Sequence, residues 1–459
     1  MALQDIKTVI ILMFENRSFD HMLGHLSYEN LQPDADGLKA PLTQYENVYQ
    51  GDSYNPYPIA ADEELASDVP HEWNFVREQL ARSPVNGEIT MSGFVQAYAD
   101  APTTIGPPNP QAVPMGFFSS AQVPITSFLA QEFCTCDRWF ASLPSSTQPN
   151  RTMAFFGQSP IYKTGGPQLI PLDNNVFNWL KTNGITWRAY HDGLSFFTLY
   201  PGLWDDVFGP NFRRYEHLAA DLISNDVPQV IFIEPSYYDS PHIGGDHPND
   251  NHAPLAIGWG EEFLRNTYQA VTANPAVWAN TLMVVYYDEH GGFYDHVAPP
   301  DFVNSNANPP PNPYGSSNNF DSLGVRVPGL LVSPWIAPGT VCHETFDHTS
   351  VLQFLAERFT PGSPYSPEVA ARSAQAPGIA SISAALAAGA SSIPPPAPPS
   401  APITVSSSLG ANIPVPPDND MGILFEQTAN DLLAQRPNDV RASDPELFLW
   451  QAAVNQSRP

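Results

Sequence analysis

The chain has 459 residues, of which 42% are apolar and 14% charged, with 50 prolines against 29 glycines. This composition excludes a disordered chain and a coiled coil, and the proline content predicts long, ordered connections in an enzyme-sized body. The 19 basic and 47 acidic residues give a net charge of −28, which speaks against nucleic acid and against electrostatic docking on anionic membranes, so neutral, zwitterionic or metal-bridged partners are expected.

In "TVIILMFENRSFDHMLG" (8–24) the run Val9 to Phe14 lacks alternation and is too short for a helix, so it reads as a strand covered on both faces. Glu15 and Asn16 follow where that strand leaves the sheet. Ligands of open α/β sheets bind in the crevice outside the strand carboxyl ends. The pair therefore reads either as oxygen ligands for a hard cation or as a simple turn, with Ser18 capping a helix from Phe19. Residues 36–115, rich in Pro, Tyr and Asn, read as a long insertion that caps the crevice. Cys134 and Cys136 would share one face of a strand and lack the second pair of a zinc site; with Cys342 they read as buried thiols. Helical patterns at 176–184, 260–274 and 348–359 alternate with strand candidates at 185–190, 228–235, 281–290 and 327–334. This alternation predicts an α/β fold, a large, mostly parallel sheet sandwiched by helices, as one domain over residues 1–387. Residues 388–420 are Pro-rich and expected to be extended, and 421–459 is expected to return to the body as a C-terminal helix. No window approaches a membrane span and the N-terminus does not read as a signal peptide. A soluble protein is expected, cytoplasmic as it stands, secreted or periplasmic if a leader was removed.

In "YYDEHGGFYDHVAPP" (286–300) Asp288, Glu289 and His290 follow a strand, and Gly291 and Gly292 allow a sharp turn. Adjacent carboxylates repel unless a positive charge lies between them. With Glu15 and Asn16 they would offer four oxygen ligands suited to Ca²⁺, Mg²⁺ or Mn²⁺; the alternative is an acidic turn with a solvated His290. In "SLPSSTQPNRTMAFFG" (142–157) Ser146 or Thr147 can serve as a nucleophile, and Asn150 and Arg151 suit the oxygens of a phosphate, although such a cluster is also an ordinary loop. His71, His191, His247 and His348 lie near turn residues, where a general acid, a leaving-group stabiliser, a metal ligand or a structural hydrogen bond are all open roles. His21, His25, His217, His242, His252 and His343 receive no role.

The blocks "ENRSFDHMLG", "TQPNR", "DHP", "DEHGGFYDHVAPP", "RVPGLLVSPW" and "DHTSVLQFLAERF" run in this order over residues 5–360. Together they closely resemble the phosphoesterase family that contains bacterial phospholipases C, plant non-specific phospholipase C and a class of bacterial acid phosphatases. That family is similar to a branch of the alkaline-phosphatase superfamily, which implies an alkaline-phosphatase-like α/β sandwich with its site at the strand ends. The resemblance favours Thr147 over Ser146 as nucleophile. It implies that Glu15, Asn16, Asp288 and Glu289 hold a divalent metal ion, that His290 matches the histidine of a "DHG" block, and that His247 and His71 match active-site histidines. The implied activity is a metal-dependent, phospholipase C-type phosphoric ester hydrolase with a phosphothreonine intermediate. In it Arg151 would stabilise phosphoryl oxygens and His247 would protonate the departing alcohol. An acid phosphatase on the same machinery is the alternative, so the substrate is a phospholipid or a small phosphate ester. The insertion's aromatics (Tyr45, Tyr49, Tyr54, Tyr57, Trp73, Phe75, Phe94, Tyr98, Phe117, Phe118) read either as a rim for lipid or a choline-like cation, or as pins holding the insertion to the body.

Overall fold

All seven residues of Thr8–Phe14 (β1) are buried, as a strand covered on both faces requires. The computed structural model describes residues 2–60, 68–101, 110–165, 174–224, 227–242, 247–304, 320–386, 394–403 and 419–457. Seven further strands join β1 in one sheet: Cys134–Cys136 (β2), Trp187–His191 (β3), Phe212–Arg214 (β4), Val230–Glu234 (β5), Thr281–Tyr287 (β6), Gly329–Val332 (β7) and Thr340–Cys342 (β8). Their order is β8-β2-β7-β6-β1-β5-β3-β4. β1 lies between β5 and β6, parallel to both, with Leu12 beside Ile233 and Val285. Only β7 runs against its neighbours β6 and β2. The fold is therefore the expected α/β type, with a mixed, mostly parallel sheet. Two sets of helices accompany it: Pro124–Glu132, Leu218–Ile223 and Gly258–Thr272 in one, and Thr147–Phe156, Thr349–Phe359 and Pro367–Ser373 in the other. Cys136 and Cys342 are register partners on β2 and β8, and all three cysteines are free and buried.

The insertion carries a small core of its own. Helices Trp73–Leu80 and Phe94–Asp100 contribute Val76, Leu80, Phe94 and Val95, which pack with Met91 and Met115 against Tyr294 and Val325 of the body. Phe94, Tyr98, Phe117 and Phe118 are buried, and Tyr45, Tyr49, Tyr54 and Tyr57 pack half-buried on the cluster. Most of these aromatics thus pin the insertion down. The alternative reading of them as an exposed apolar rim finds little surface to act on.

Of the Pro-rich stretch, 388–393 and 404–418 lie outside the described residues. Residues 394–403 run beside Gly258–Thr272, with Tyr268 Oη donating to the Pro396 carbonyl at 2.8 Å and Arg265 Nη1 to that of Ala401 at 3.0 Å. Beyond it the chain forms three helices, Asp420–Gln435, Pro437–Ser443 and Glu446–Ser457, where one was expected. Pro437 and Pro445 each lack an amide hydrogen and interrupt the pattern. Among the described residues no helix is long and apolar enough to cross a membrane.

Candidate active site

Because Phe14 and Tyr287 are register partners at the ends of β1 and β6, the residues that follow them leave the sheet side by side. Asn16 takes a positive φ of 59° and its N–H donates to Asp288 Oδ1 at 3.1 Å, while the Arg17 N–H donates to the Glu289 carbonyl at 3.1 Å. The turn after Glu289 needs glycine. At Gly291 (φ +63°) a Cβ would stand 2.0 Å from the Asn16 carbonyl oxygen, and at Gly292 (φ +75°) 2.5 Å from that of Pro70.

Thr147 opens helix Thr147–Phe156, and its hydroxyl donates to Asn16 Oδ1 at 3.1 Å. The helix dipole at that position favours a developing negative charge. Ser146 Oγ points elsewhere, accepting from the Thr164 N–H at 3.1 Å and the Thr164 hydroxyl at 2.9 Å. Of the two hydroxyls, then, the structure brings Thr147 to Asn16 at the end of β1.

Asn150 and Arg151 are both buried and bonded to the protein itself. The Asn150 amide accepts from the Leu143 N–H at 2.9 Å and donates to the carbonyls of Leu143, Ser145 and Ser146 at 3.1, 2.8 and 3.1 Å. It braces the loop that presents Thr147. Arg151 is 1% exposed and lies behind the carboxylates. Its Nε donates to Asp288 Oδ2 at 3.0 Å, its Nη1 to Tyr237 Oη at 3.0 Å, and its Nη2 lies 3.1 Å from Glu15 Oε1. Spacing alone does not tell a guanidinium aimed at phosphate from one that holds carboxylates.

The carboxylates are fully buried and only partly satisfied. Asp288 has a donor at each oxygen, but both oxygens of Glu15, which Arg151 approaches without an N–H directed at it, and Oε1 of Glu289 accept no hydrogen bond from the described residues. Burial, with Asp288, Asp250 and Asp239 adding, pushes Glu15 well above the ordinary carboxylate range against the pull of Arg151. Burial would raise Glu289 too, yet His71 and His290 together hold it below its usual value. Buried, unpartnered carboxylate oxygens fit a hard cation, which is the donor chemistry of Ca²⁺, Mg²⁺ or Mn²⁺.

Glu15 also stands with Asp239 and His252, and His252 with Asp68 and His71; within each trio the donor atoms lie within 4.8 Å of one another. His252 Nδ1 donates to the Ala253 carbonyl, and its Nε2 faces Asp239 Oδ2 at 3.6 Å and Asp68 Oδ2 at 4.0 Å. Burial opposes charge on this ring, but Asp68, Asp239 and Asp250 outweigh it and raise its pKa. His71 donates from Nδ1 to the Val69 carbonyl at 2.7 Å and meets Asn16 Nδ2 with Nε2 at 3.4 Å. Burial would keep His71 neutral, whereas Asp68, Glu289 and Glu72 carry it to about 10. The hydrogen bond from Asn16 fits the neutral ring, and a cation beside Glu289 would cancel much of the push toward the charged one.

The remaining histidines fall outside this role. His247 stacks flat on Trp259, ring centroids 4.1 Å apart, on the wall of a separate cavity of about 320 Å³ that His191's neighbours Asp192 and Gly193 also line. It does not meet Thr147, because the turn at 249–252 carries the histidine five residues later to the carboxylates instead. His290 has both ring nitrogens engaged, Nε2 with Gln79 Oε1 at 2.8 Å and Nδ1 with Glu289 Oε2 at 3.1 Å. His348, held down to about 4 by burial, donates from Nε2 to the Asp288 carbonyl at 2.6 Å and accepts from Trp139. The sequence reading passed over Asp68, Asp239, His252 and Gln79. Only "NDNH" (249–252), a dense polar run beside the "DHP" block, carried a signal for any of them.

A mostly parallel sheet with a hydroxyl, an amide and three carboxylates gathered at adjacent strand ends defines a hydrolytic enzyme of the α/β class. The chain belongs to the phosphoesterase family, whose family model matches residues 6–360, and it is an ester-hydrolysing enzyme. Non-specific phospholipase C3 of Arabidopsis thaliana is 35% identical over 383 residues, covering 77% of this chain and 69% of that protein. Non-hemolytic phospholipase C of Pseudomonas aeruginosa is 29% identical over 412 residues, covering 78% of this chain and 54% of its own length. Among solved structures, a protein in the alkaline phosphatase superfamily from Vibrio parahaemolyticus aligns over 73% of this chain and 74% of its own at 12% identity, with a TM-score of 0.33.

Proposed function

We propose that the protein is a metal-dependent phospholipase C-type hydrolase in which Thr147 attacks phosphorus and a phosphothreonine is hydrolysed in a second step. The observation that carries this reading is the Thr147 hydroxyl, 3.1 Å from Asn16 Oδ1 at a helix N-terminus, where Glu15 and Glu289 hold buried carboxylate oxygens that accept no hydrogen bond from the described residues. Glu15, Asn16 and Glu289, with Asp288 and the Thr147 oxygen, would hold the ion, and Asp239 with His252 stands on the other side of Glu15. When bound, a divalent cation supplies charge stabilisation for the phosphoryl oxygens and lowers the pKa of an oxygen it touches.

The chain's own residues do the rest. Asn16 Oδ1 accepts the hydrogen bond of the Thr147 hydroxyl and fixes its direction. The N-terminus of helix Thr147–Phe156 stabilises charge as it develops on Thr147 Oγ1. Arg151 keeps Glu15 and Asp288 apart and oriented. The rings of His71 and His252, set edge to face with centroids 5.8 Å apart, replace His247 as the proton carriers for the departing alcohol and the entering water.

A phosphomonoesterase is the second reading, favoured by the burial of the insertion's aromatics. One experiment separates the two: release of diacylglycerol from phosphatidylcholine micelles against release of phosphate from an aryl phosphate, by wild type and Thr147→Ala. The expected result is turnover of the lipid by wild type and loss of both activities in the variant. Turnover of the monoester alone makes the protein a phosphatase, and full activity in Thr147→Ala removes Thr147 as nucleophile.

A further inference from the structure

Glu289 is only half engaged. Its Oε2 accepts from the Gly291 N–H at 2.8 Å and faces His290 Nδ1 at 3.1 Å, while its buried Oε1 accepts no hydrogen bond from the described residues. The imidazole of His290 sets this posture, and the imidazole is itself held by the insertion. His290 Nε2 donates to Gln79 Oε1 at 2.8 Å. The Gln79 amide is not free to turn over, because its Nε2 donates to the Pro70 carbonyl at 2.6 Å. With that orientation an acceptor faces each ring nitrogen, Gln79 Oε1 at Nε2 and Glu289 Oε2 at Nδ1, so both nitrogens carry a hydrogen and the ring ties the glutamine to the carboxylate. Gln79, His290 and Glu289 are 1%, 1% and 0% exposed, so water does not substitute for any of these partners. Phe94 closes the ring from its edge at 6.0 Å.

We infer that Gln79 is a positioning residue that, through His290, aims Oε1 of Glu289 at the cation. This rests on the metal-dependent reading above. The insertion is then more than a cover: its helix Trp73–Leu80 completes the support of a ligand delivered by β6. Removing the amide leaves the His290 Nε2–H buried without an acceptor, the ring turns to find one, and Glu289 loses its fixed direction. A protonated glutamate at position 79 restores the arrangement, since one oxygen accepts from His290 and its O–H donates to Pro70.

The test is Mn²⁺ affinity, measured by calorimetry on chelator-stripped full-length protein, with the thermal midpoint recorded beside it. Partners one step behind a metal ligand typically change affinity about 10- to 100-fold; Gln79 stands one step further back, so Gln79→Leu is expected to weaken Mn²⁺ binding about tenfold and Gln79→Glu to recover most of that loss. A purely structural glutamine would lower the thermal midpoint and leave the affinity of the folded protein unchanged. Wild-type affinity in Gln79→Leu, or equal loss in both variants, overturns the inference. Gln79→Met takes the place of Gln79→Leu if the latter does not fold. A wild type that binds no divalent cation overturns the metal reading first and this inference with it, an outcome visible before any variant is made.

Discussion

Replacing His252 or His71 by alanine is expected to cut turnover of an aryl phosphate about 10²- to 10⁴-fold, the usual worth of a positioned proton carrier. His247→Ala should stay close to wild type, because its ring stacks on Trp259 in another cavity. Initial rates at saturating metal decide this, and a His247→Ala variant as inactive as His252→Ala would return the proton to His247. The contrast shows where sequence reading reaches its limit at this scale. Glu15, Asn16, Asp288 and Glu289 were legible because polar residues directly after an apolar run have one place to go, the end of a strand. Asn150 and Arg151 were misread as substrate ligands because their partners, the Leu143 to Ser146 backbone and the Asp288 carboxylate, are tertiary neighbours that no local pattern encodes. For the same reason Gln79 gave no sign at all: its partner is 211 positions away.

Among the elements, the turn after β6 is the tightest constraint. Gly291 and Gly184 share nearly the same backbone, φ +63° and +65°, but a Cβ meets the Asn16 carbonyl oxygen at 2.0 Å in the first and nothing within 4 Å in the second. Gly184→Ala should therefore cost only the left-handed strain, about 1 kcal/mol in urea denaturation. Gly291→Ala carries the clash as well, so it should destabilise by several-fold more and, by displacing Asn16, abolish activity. Equal midpoints for the two variants would mean that the turn yields more easily than its contacts imply. The longer strands were readable from their unbroken apolar runs, and the helix at 176–184 from its terminal glycine. Strands β4 and β8 were not, since three residues show no periodicity. The reversed direction of β7 was equally hidden, because an apolar run looks the same in either direction.

Across the whole molecule, one buried arginine joins the pieces that the site depends on. Arg326, fully buried, donates to Asp295 at 2.8 Å, to Asp20 at 3.3 Å, and to the carbonyls of Asp36 and Asp137 at 2.8 and 2.7 Å. It thus ties together the segments after β1, β2 and β6 and the start of the insertion. Asp20, Asp295 and His296 have the spacing of a metal trio, but this guanidinium already pairs with both carboxylates. His296 completes the network, facing Asp20 Oδ2 at 2.7 Å and Asp36 Oδ1 at 3.3 Å, with Tyr45 against its ring and Arg326 opposing its charge. Burial would lower its pKa, but Asp20 and Asp36 raise it from 6.5 to about 10. A group whose folded pKa is raised stabilises fully below its unfolded pKa and loses that contribution as pH climbs through the folded value. The window for His296 is therefore about pH 6.5 to 10. Asp295, raised to about 6, titrates below that window, and Tyr45, raised above 10, titrates beyond it. The thermal midpoint of the wild type should fall through this range, and that of His296→Gln, which has no proton to lose there, should start lower and fall less. Parallel slopes for the two proteins would show that His296 is not charged in the folded state and that Arg326 alone neutralises Asp20 and Asp36.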